Sequence, residues 1–208
     1  MTDRYLSVAA AGLHEIEIRR SRFLCALAPV GQEAAAREAI AARRRAEPTA
    51  RHHCHAFVLG PDGRTQRSSD DGEPAGTAGV PMLEVLRRRG VTDTVAVVSR
   101  HFGGVLLGAG GLIRAYGQSV SEALDTVGLV EYRRLRLFDI EVDYTRAGRL
   151  ENELRASSYS VQETRFEASA HFEVGVLPGE EQRFAAWLAE ATGGSSEAVA
   201  LGEDWVRG

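Results

Sequence analysis

Between residues 14 and 19 apolar and polar positions alternate, with Ile16 and Ile18 on one side and Glu15, Glu17 and Arg19 on the other. That is the period of a half-buried strand. Arg20, Ser21 and Arg22 interrupt the pattern, and residues 23–28 are then apolar on both faces, as in a central strand. Residues 33–45 are Ala-rich, acidic early and basic late (Arg43, Arg44 and Arg45), a polarity that suits the helix dipole, and Pro48 closes the helix. Residues 53–59 predict another strand. Residues 60–79, with two Pro and five Gly, predict one long loop, whose length argues for a functional role. A short helix over 81–89 follows, with Pro81 in its first turn. A continuously apolar strand over 94–99 feeds a glycine-rich turn over 102–111, and a helix runs on through Asp125 with Leu112, Ala115, Tyr116, Val120, Ala123, Leu124 and Val127 at helical spacing.

The last third is cleaner. Phe138, Ile140 and Val142 alternate with Asp139, Glu141 and Asp143; a helix over 145–156 carries Ala147, Leu150 and Leu154. Two strands, 161–166 and 168–176, meet across a minimal turn. Phe184, Trp187, Leu188 and Ala191 mark a helix ended by Gly193 and Gly194, and residues 198–206 form a last strand. The order βαββαβ is that of a ferredoxin-like unit. The expected architecture is α+β in two domains, residues 1–131 with a mixed βαβ arrangement and residues 132–208 ferredoxin-like.

Composition narrows the class. The 208 residues are 44% hydrophobic and 26% charged, ordinary for a globular protein. No apolar run reaches the roughly 18–20 residues of a membrane span. The start, Met1-Thr2-Asp3-Arg4, makes a poor signal peptide, and two cysteines, Cys25 and Cys54, make no disulfide framework. A cytoplasmic protein without membrane attachment is expected. All 25 basic residues are Arg. Residues 1–136 hold 19 Arg against 15 acidic residues, a net of +4, whereas residues 137–208 hold 6 against 14, a net of −8. A basic half and an acidic half imply different partners, with a protein the expected partner of the acidic one.

Chemistry could reside in two segments. A buried strand, a glycine-rich turn and a helix start present free backbone N–H groups at a positive dipole end, where anions bind. The candidate anion or nucleic-acid site is therefore Gly103, Gly104, Gly108, Gly110 and Gly111 with Arg100 and Arg114, together with the cluster Arg43, Arg44 and Arg45. The turn matches neither the Walker A nor the dinucleotide pattern: Ala109-Gly110 stands where Lys-Ser/Thr is required, and Ile113 where the third glycine belongs. Asp70, Asp71, Gly72 and Glu73 form a second candidate loop, with carboxylates suited to acid–base work or a hard cation, against the plainer reading of turn-forming acids. His52, Cys54 and their neighbours His53 and His55 lie on alternate faces of a strand, so no metal site is expected; no cofactor is expected either.

Four blocks carry a resemblance: Ser21-Arg22-Phe23; residues 51–57; residues 69–83, Ser-Asp-Asp-Gly-Glu-Pro-Ala-Gly-Thr-Ala-Gly-Val-Pro-Met-Leu; and residues 100–116, Arg-His-Phe-Gly-Gly-Val-Leu-Leu-Gly-Ala-Gly-Gly-Leu-Ile-Arg-Ala-Tyr. In these the chain resembles the IMPACT family, in its bacterial YigZ-like branch. The resemblance implies a first domain like that of a small-subunit ribosomal protein and of domain four of elongation factor G, and a ferredoxin-like second domain. It departs from the family pattern at His101, usually Tyr or Trp, and at Leu106, often Lys. It names no reaction.

Two functions follow as expectations. The first is a non-enzymatic, translation-associated regulator binding ribosome, RNA or a translation factor through the basic half. The alternative is an enzyme acting on a phosphorylated small molecule, held by the glycine-rich loop with residues 70–73 as acid, base or magnesium ligands.

Overall fold

The computed structural model describes residues 3–208; Met1 and Thr2, the start of the segment read as a poor signal peptide, lie outside the described residues. Two compact units divide the chain, one reaching Tyr132 and including Gly208, the other running from Arg133 to Arg207.

The first unit opens with β1 (Arg4–Val8), β2 (Gly12–Ile18) and β3 (Ser21–Pro29). β2 and β3 pair antiparallel, with Ile18 opposite Ser21. Arg19 and Arg20 make the two-residue turn, both left-handed at φ 48° and 68°; positive φ at both positions is what matches a tight hairpin to strand twist, and it normally selects Asn-Gly. Helix α1 (Glu33–Ala46) leads to β4 (His52–Leu59) and β5 (Thr65–Ser69), then α2 (Gly79–Arg88), β6 (Thr94–His101) and α3 (Gly108–Val127). The sheet order is β2-β3-β6-β4-β5. β3 and β4 each run antiparallel to β6 between them, so the crossover through α1 is the expected βαβ connection with one strand inserted.

Alternation along the central strands builds two cores. Phe23, Cys25, Cys54, Ala56, Ala96 and Val98 face α2 and α3, where Met82, Leu86, Tyr116, Val120 and Leu124 meet them. On the other face Phe57, Leu59, Val95 and Val97 pack on Ala36 and Ile40 of α1. Such burial on both sides explains the continuous apolar runs over residues 23–28, 56–59 and 95–98 in these strands.

Two expectations for this unit need correction, and one strand was not anticipated. The loop over 60–79 contains β5, which pairs with β4 from His55 opposite Ser69 to Leu59 opposite Thr65. Its sequence, TQRSS, is polar on both faces because it is an edge strand. α3 begins at Gly108, so Gly108 to Gly111 form its first turn and the true loop is only residues 102–107. β1 had no counterpart in the hydrophobic pattern; its Ser7 is buried against Thr94 Oγ1 and the Asp93 carbonyl.

β7 (Leu129–Val142) runs on into the second unit, and α4 (Tyr144–Arg155), β8 (Ser160–Phe166), β9 (Ala170–Val176), α5 (Glu181–Thr192) and β10 (Ala198–Arg207) follow. β7 starts well before the alternation at Phe138 that signals it. β10 pairs with β7, β7 with β9 and β9 with β8, the order of a ferredoxin-like sheet. Ile140, Val142, Phe172 and Val174 pack beneath Leu150, Leu154, Phe184 and Leu188. On the other face Asp139 lies opposite Glu173, and Glu173 opposite Glu163. The basic side chains beside that row include Arg165, paired with Asp139 and Glu163, and His171, bonded to Asp139. Among the described residues no helix is long and apolar enough to cross a membrane.

Candidate functional site

The two candidate loops meet in the first unit. Asp70 follows β5 directly, and its carboxylate accepts the backbone N–H groups of Gly76, Ala78 and Gly79 at 2.8, 2.9 and 2.8 Å. It thereby supplies the cap that α2 lacks from its own flanking residue. Burial alone would raise the Asp70 carboxyl, but these three bonds outweigh it and hold its pKa below the ordinary value. Asp71, left-handed at φ 42°, takes the His53 N–H at 2.7 Å and the Arg44 guanidinium at 2.5 Å. Burial opposes these bonds too, and again the net shift is downward. The Asp71 carbonyl lies 2.8 Å from His52 Nδ1, which leaves His52 Nε2 directed 4.0 Å from Glu73.

Glu73 turns inward. Its Oε1 accepts from Arg100 Nη1 at 2.6 Å and from the Tyr116 hydroxyl at 2.8 Å. The Arg100 guanidinium lies 5.4 Å from the Phe23 ring centre and 5.7 Å from that of Phe102, both within cation–π reach. Its Nη2 donates to Ser21 Oγ at 3.4 Å, and the same hydroxyl accepts the Gly103 N–H at 3.2 Å. Gly103 is required: a Cβ there would stand 2.0 Å from the Arg20 carbonyl. The hairpin tip, the glycine-rich loop, β6 and the acidic loop are thus tied through one buried ion pair.

Cys54 lies beneath this network, its thiol donating to the Asp70 carbonyl at 3.0 Å with Tyr116 Oη 3.3 Å away. Burial pushes the thiol up to about 12, and Cys25 likewise. Burial, then the neighbouring Cys54 and Glu73, also raises the Tyr116 phenol. His101, a conceivable base for Cys54, bonds Glu47 instead.

Between the loops is a cleft of about 410 Å³, lined on one side by Arg51, His52 and Glu73 and on the other by Phe102, Leu106 and Gly108. The candidate loops therefore share a cleft, yet each carboxylate is already engaged inside the protein. Among the described residues no group of three or more His, Cys, Asp or Glu side chains could hold a metal ion.

The basic candidates divide. Arg100 is no free cation of the glycine-rich loop; at 6% exposure its charge is matched by Glu73. Arg43 is also drawn inside, donating to Ser99 Oγ and facing Glu47. Arg44 and Arg45 stay at the surface but pair with Asp71 and Glu38. The expected Arg43–Arg45 cluster is thus not an open basic patch, because consecutive helical residues point to different surroundings, each with its own acid. Arg114 is exposed and has no ion pair among the described residues. It lines a groove of about 750 Å³ between α2 and α3 with Arg88, Arg89, Glu84, Gln118 and Ser121. Arg89 is paired with Asp125, and Arg88 likewise has no ion pair among the described residues. The fold brings Arg88 and Arg89, at the end of α2, beside Arg114.

Comparison with known proteins accords with this organisation. Residues 19–124 match the Impact N-terminal domain, and residues 140–195 match a domain of unknown function, DUF1949. The chain is 47% identical over 197 residues to the IMPACT family member YvyE of Bacillus subtilis (strain 168), covering 95% of this chain and 91% of that one. It is 38% identical over 189 residues to the IMPACT family member YigZ of Escherichia coli (strain K12), covering 90% and 93%. A crystal structure of a hypothetical protein is similar at a TM-score of 0.64 and 35% identity, over 97% of this chain and 98% of that one.

Proposed function

The chain belongs to the IMPACT family, and on that footing we propose that it is a non-enzymatic, translation-associated regulator whose first unit binds RNA of the ribosome. The observation that carries this reading is the groove between α2 and α3, with Arg88 and Arg114 exposed on its walls and, among the described residues, no carboxylate paired to either. Guanidinium groups without an acidic partner, on a groove that also carries Gln118 and Ser121, suit phosphates, which Arg holds with two parallel bonds. The acidic open face of the second unit, with its row of Asp139, Glu173 and Glu163, is a surface that repels RNA and favours a protein partner.

The test is sedimentation of lysate through sucrose at low and high salt, with and without Arg88→Glu and Arg114→Glu. Salt-sensitive co-migration with a ribosomal subunit that the double variant loses supports the proposal, since each neutralised phosphate steepens the salt dependence. Migration at the top of the gradient at both salts overturns it.

The alternative of an enzyme for phosphorylated small molecules draws support from the shared cleft. Its proposed acids do not help it. Asp70 caps α2, Asp71 holds Arg44 and the His53 amide, and Glu73 balances Arg100.

A further inference from the structure

We propose that the cleft between the acidic and glycine-rich loops binds a 5′-phosphorylated nucleotide, free or at the end of an RNA strand. This site is separate from the α2–α3 groove and does not depend on it.

Charge argues for an anion. Arg51, His52 and Arg100 line the cleft; Glu73 already balances Arg100, so the uncompensated positive charge is that of Arg51. Arg51 is exposed, and among the described residues its guanidinium has no hydrogen-bond or ion-pair partner. Arg100 is 6% exposed, and its Nε is buried with no hydrogen-bond partner among the described residues. An orphaned donor of that kind is rare in folded proteins. The start of α3 adds its own polarity: Gly108 and Ala109 line the cleft, no side chain caps the helix, and its first turn has no acid. In α2 the same need is met internally by Asp70. A phosphate at α3 would meet both the helix end and Arg51.

Shape and surface argue for a flat ring beside that anion. The remaining lining is apolar, chiefly Phe102, Leu106, Leu107 and Leu112. Phe102 is 43% exposed and Leu106 is 81% exposed, unusual for large apolar side chains at the mouth of a charged cleft. A cleft of about 410 Å³ is within the range for small-ligand sites. Base stacking on an exposed aromatic is tolerant of base identity, so the site is expected to discriminate little among the four bases. Inorganic phosphate alone would leave the apolar wall uncovered.

The experiment is calorimetric titration of the full chain with AMP, GMP, CMP, UMP and orthophosphate, and with an RNA hexamer carrying or lacking a 5′-phosphate. Mononucleotides should bind with similar affinities, and at least about tenfold more tightly than orthophosphate. Arg51→Ala should weaken them about tenfold or more. Phe102→Ala should do the same with its fold checked by circular dichroism, and because Phe102 touches Arg100, Arg51→Ala serves as the independent variant. Arg88→Glu with Arg114→Glu should leave mononucleotide affinity unchanged. Tighter binding of the 5′-phosphorylated hexamer than of AMP identifies an RNA end as the source; equal or weaker binding identifies a free nucleotide. The proposal is overturned if neither mononucleotide nor phosphorylated hexamer binds at millimolar concentration, if binding survives Arg51→Ala undiminished, or if orthophosphate binds as tightly as AMP.

Discussion

Arg100 Nη1 stands 2.6 Å from Glu73 Oε1, and the two side chains are only 7% and 4% exposed. One comes from the strand before the glycine-rich loop and the other from the acidic loop, so the pair holds the cleft's two walls in register. A buried pair of this sort is costly to break from one side, because the surviving charge has no solvent to receive it.

Arg100→Met and Glu73→Leu should therefore each lower unfolding stability by about 3–5 kcal/mol, while the double variant should lose much less than the sum. Urea denaturation of the four proteins measures this directly. Additive losses would show that the two charges do not sense one another.

The glycines of the loop should separate sharply. Gly103→Ala meets the Arg20 carbonyl at 2.0 Å and should destabilise by at least about 3 kcal/mol. Gly110 lies in the first turn of α3 with its nearest neighbour, Arg114 Nη1, at 3.8 Å. Alanine fits there, and Gly110→Ala should stabilise by about 0.5–1 kcal/mol. Thermal melts that move the two variants in the same direction would contradict this assignment.

Acid should act through Asp70 and Asp71. Both carboxyls titrate below their ordinary value of 3.8 in the folded chain, where hydrogen bonds to backbone N–H groups, and for Asp71 to Arg44, overcome the upward pull of burial. Their stabilisation is complete above about pH 4, the unfolded value. It is lost as pH falls through the lower folded values, since the unfolded chain takes up protons first. Asp70→Asn should therefore flatten the fall in stability below pH 4 while lowering stability at pH 7. Equilibrium unfolding at a series of pH values checks both parts, and an unchanged slope would assign the acid sensitivity elsewhere.

Both thiols should be inert in the native state. With Cys25 and Cys54 pushed up to about 12, only about one thiol in ten thousand is ionised at pH 8, and the thiolate is the reactive form. Iodoacetamide should label neither cysteine until urea unfolds the first unit, as followed by intact mass. Rapid native labelling of Cys54 would overturn this and make it a candidate nucleophile.

The legible parts of the chain are those where one physical rule acts alone. Phe138, Ile140 and Val142 betray β7 because their strand is covered on one face only. The glycine-rich turn is visible because Gly103 sits against the Arg20 carbonyl and Gly104 and Gly108 take positive φ, demands that select glycine, whereas Gly110 meets neither. β5 escaped because an edge strand covered by neither core needs no apolar alternation. The acidic loop was readable as a cluster, but not as three separate jobs: Asp70, Asp71 and Glu73 are adjacent in sequence and face α2, Arg44 and Arg100 respectively. The Arg43 to Arg45 run misled for the matching reason. Its neutralising partners, Glu47, Asp71 and Glu38, are set by helical geometry and by a loop far along the chain. The proposed binding cations, Arg51, Arg88 and Arg114, are scattered, and only the fold shows which arginines have no ion pair among the described residues.

The turn between β2 and β3 has room for two residues, and the glycine-rich loop is seated directly on it through Gly103. Hairpins on protein surfaces usually tolerate insertions, but a single residue added between Ile18 and Ser21 would lift the Arg20 carbonyl from the Gly103 Cα and withdraw Ser21 from Arg100. The length of this hairpin is thus constrained from outside the hairpin, and a chain of this fold can vary the identity of residues 19 and 20 far more freely than their number.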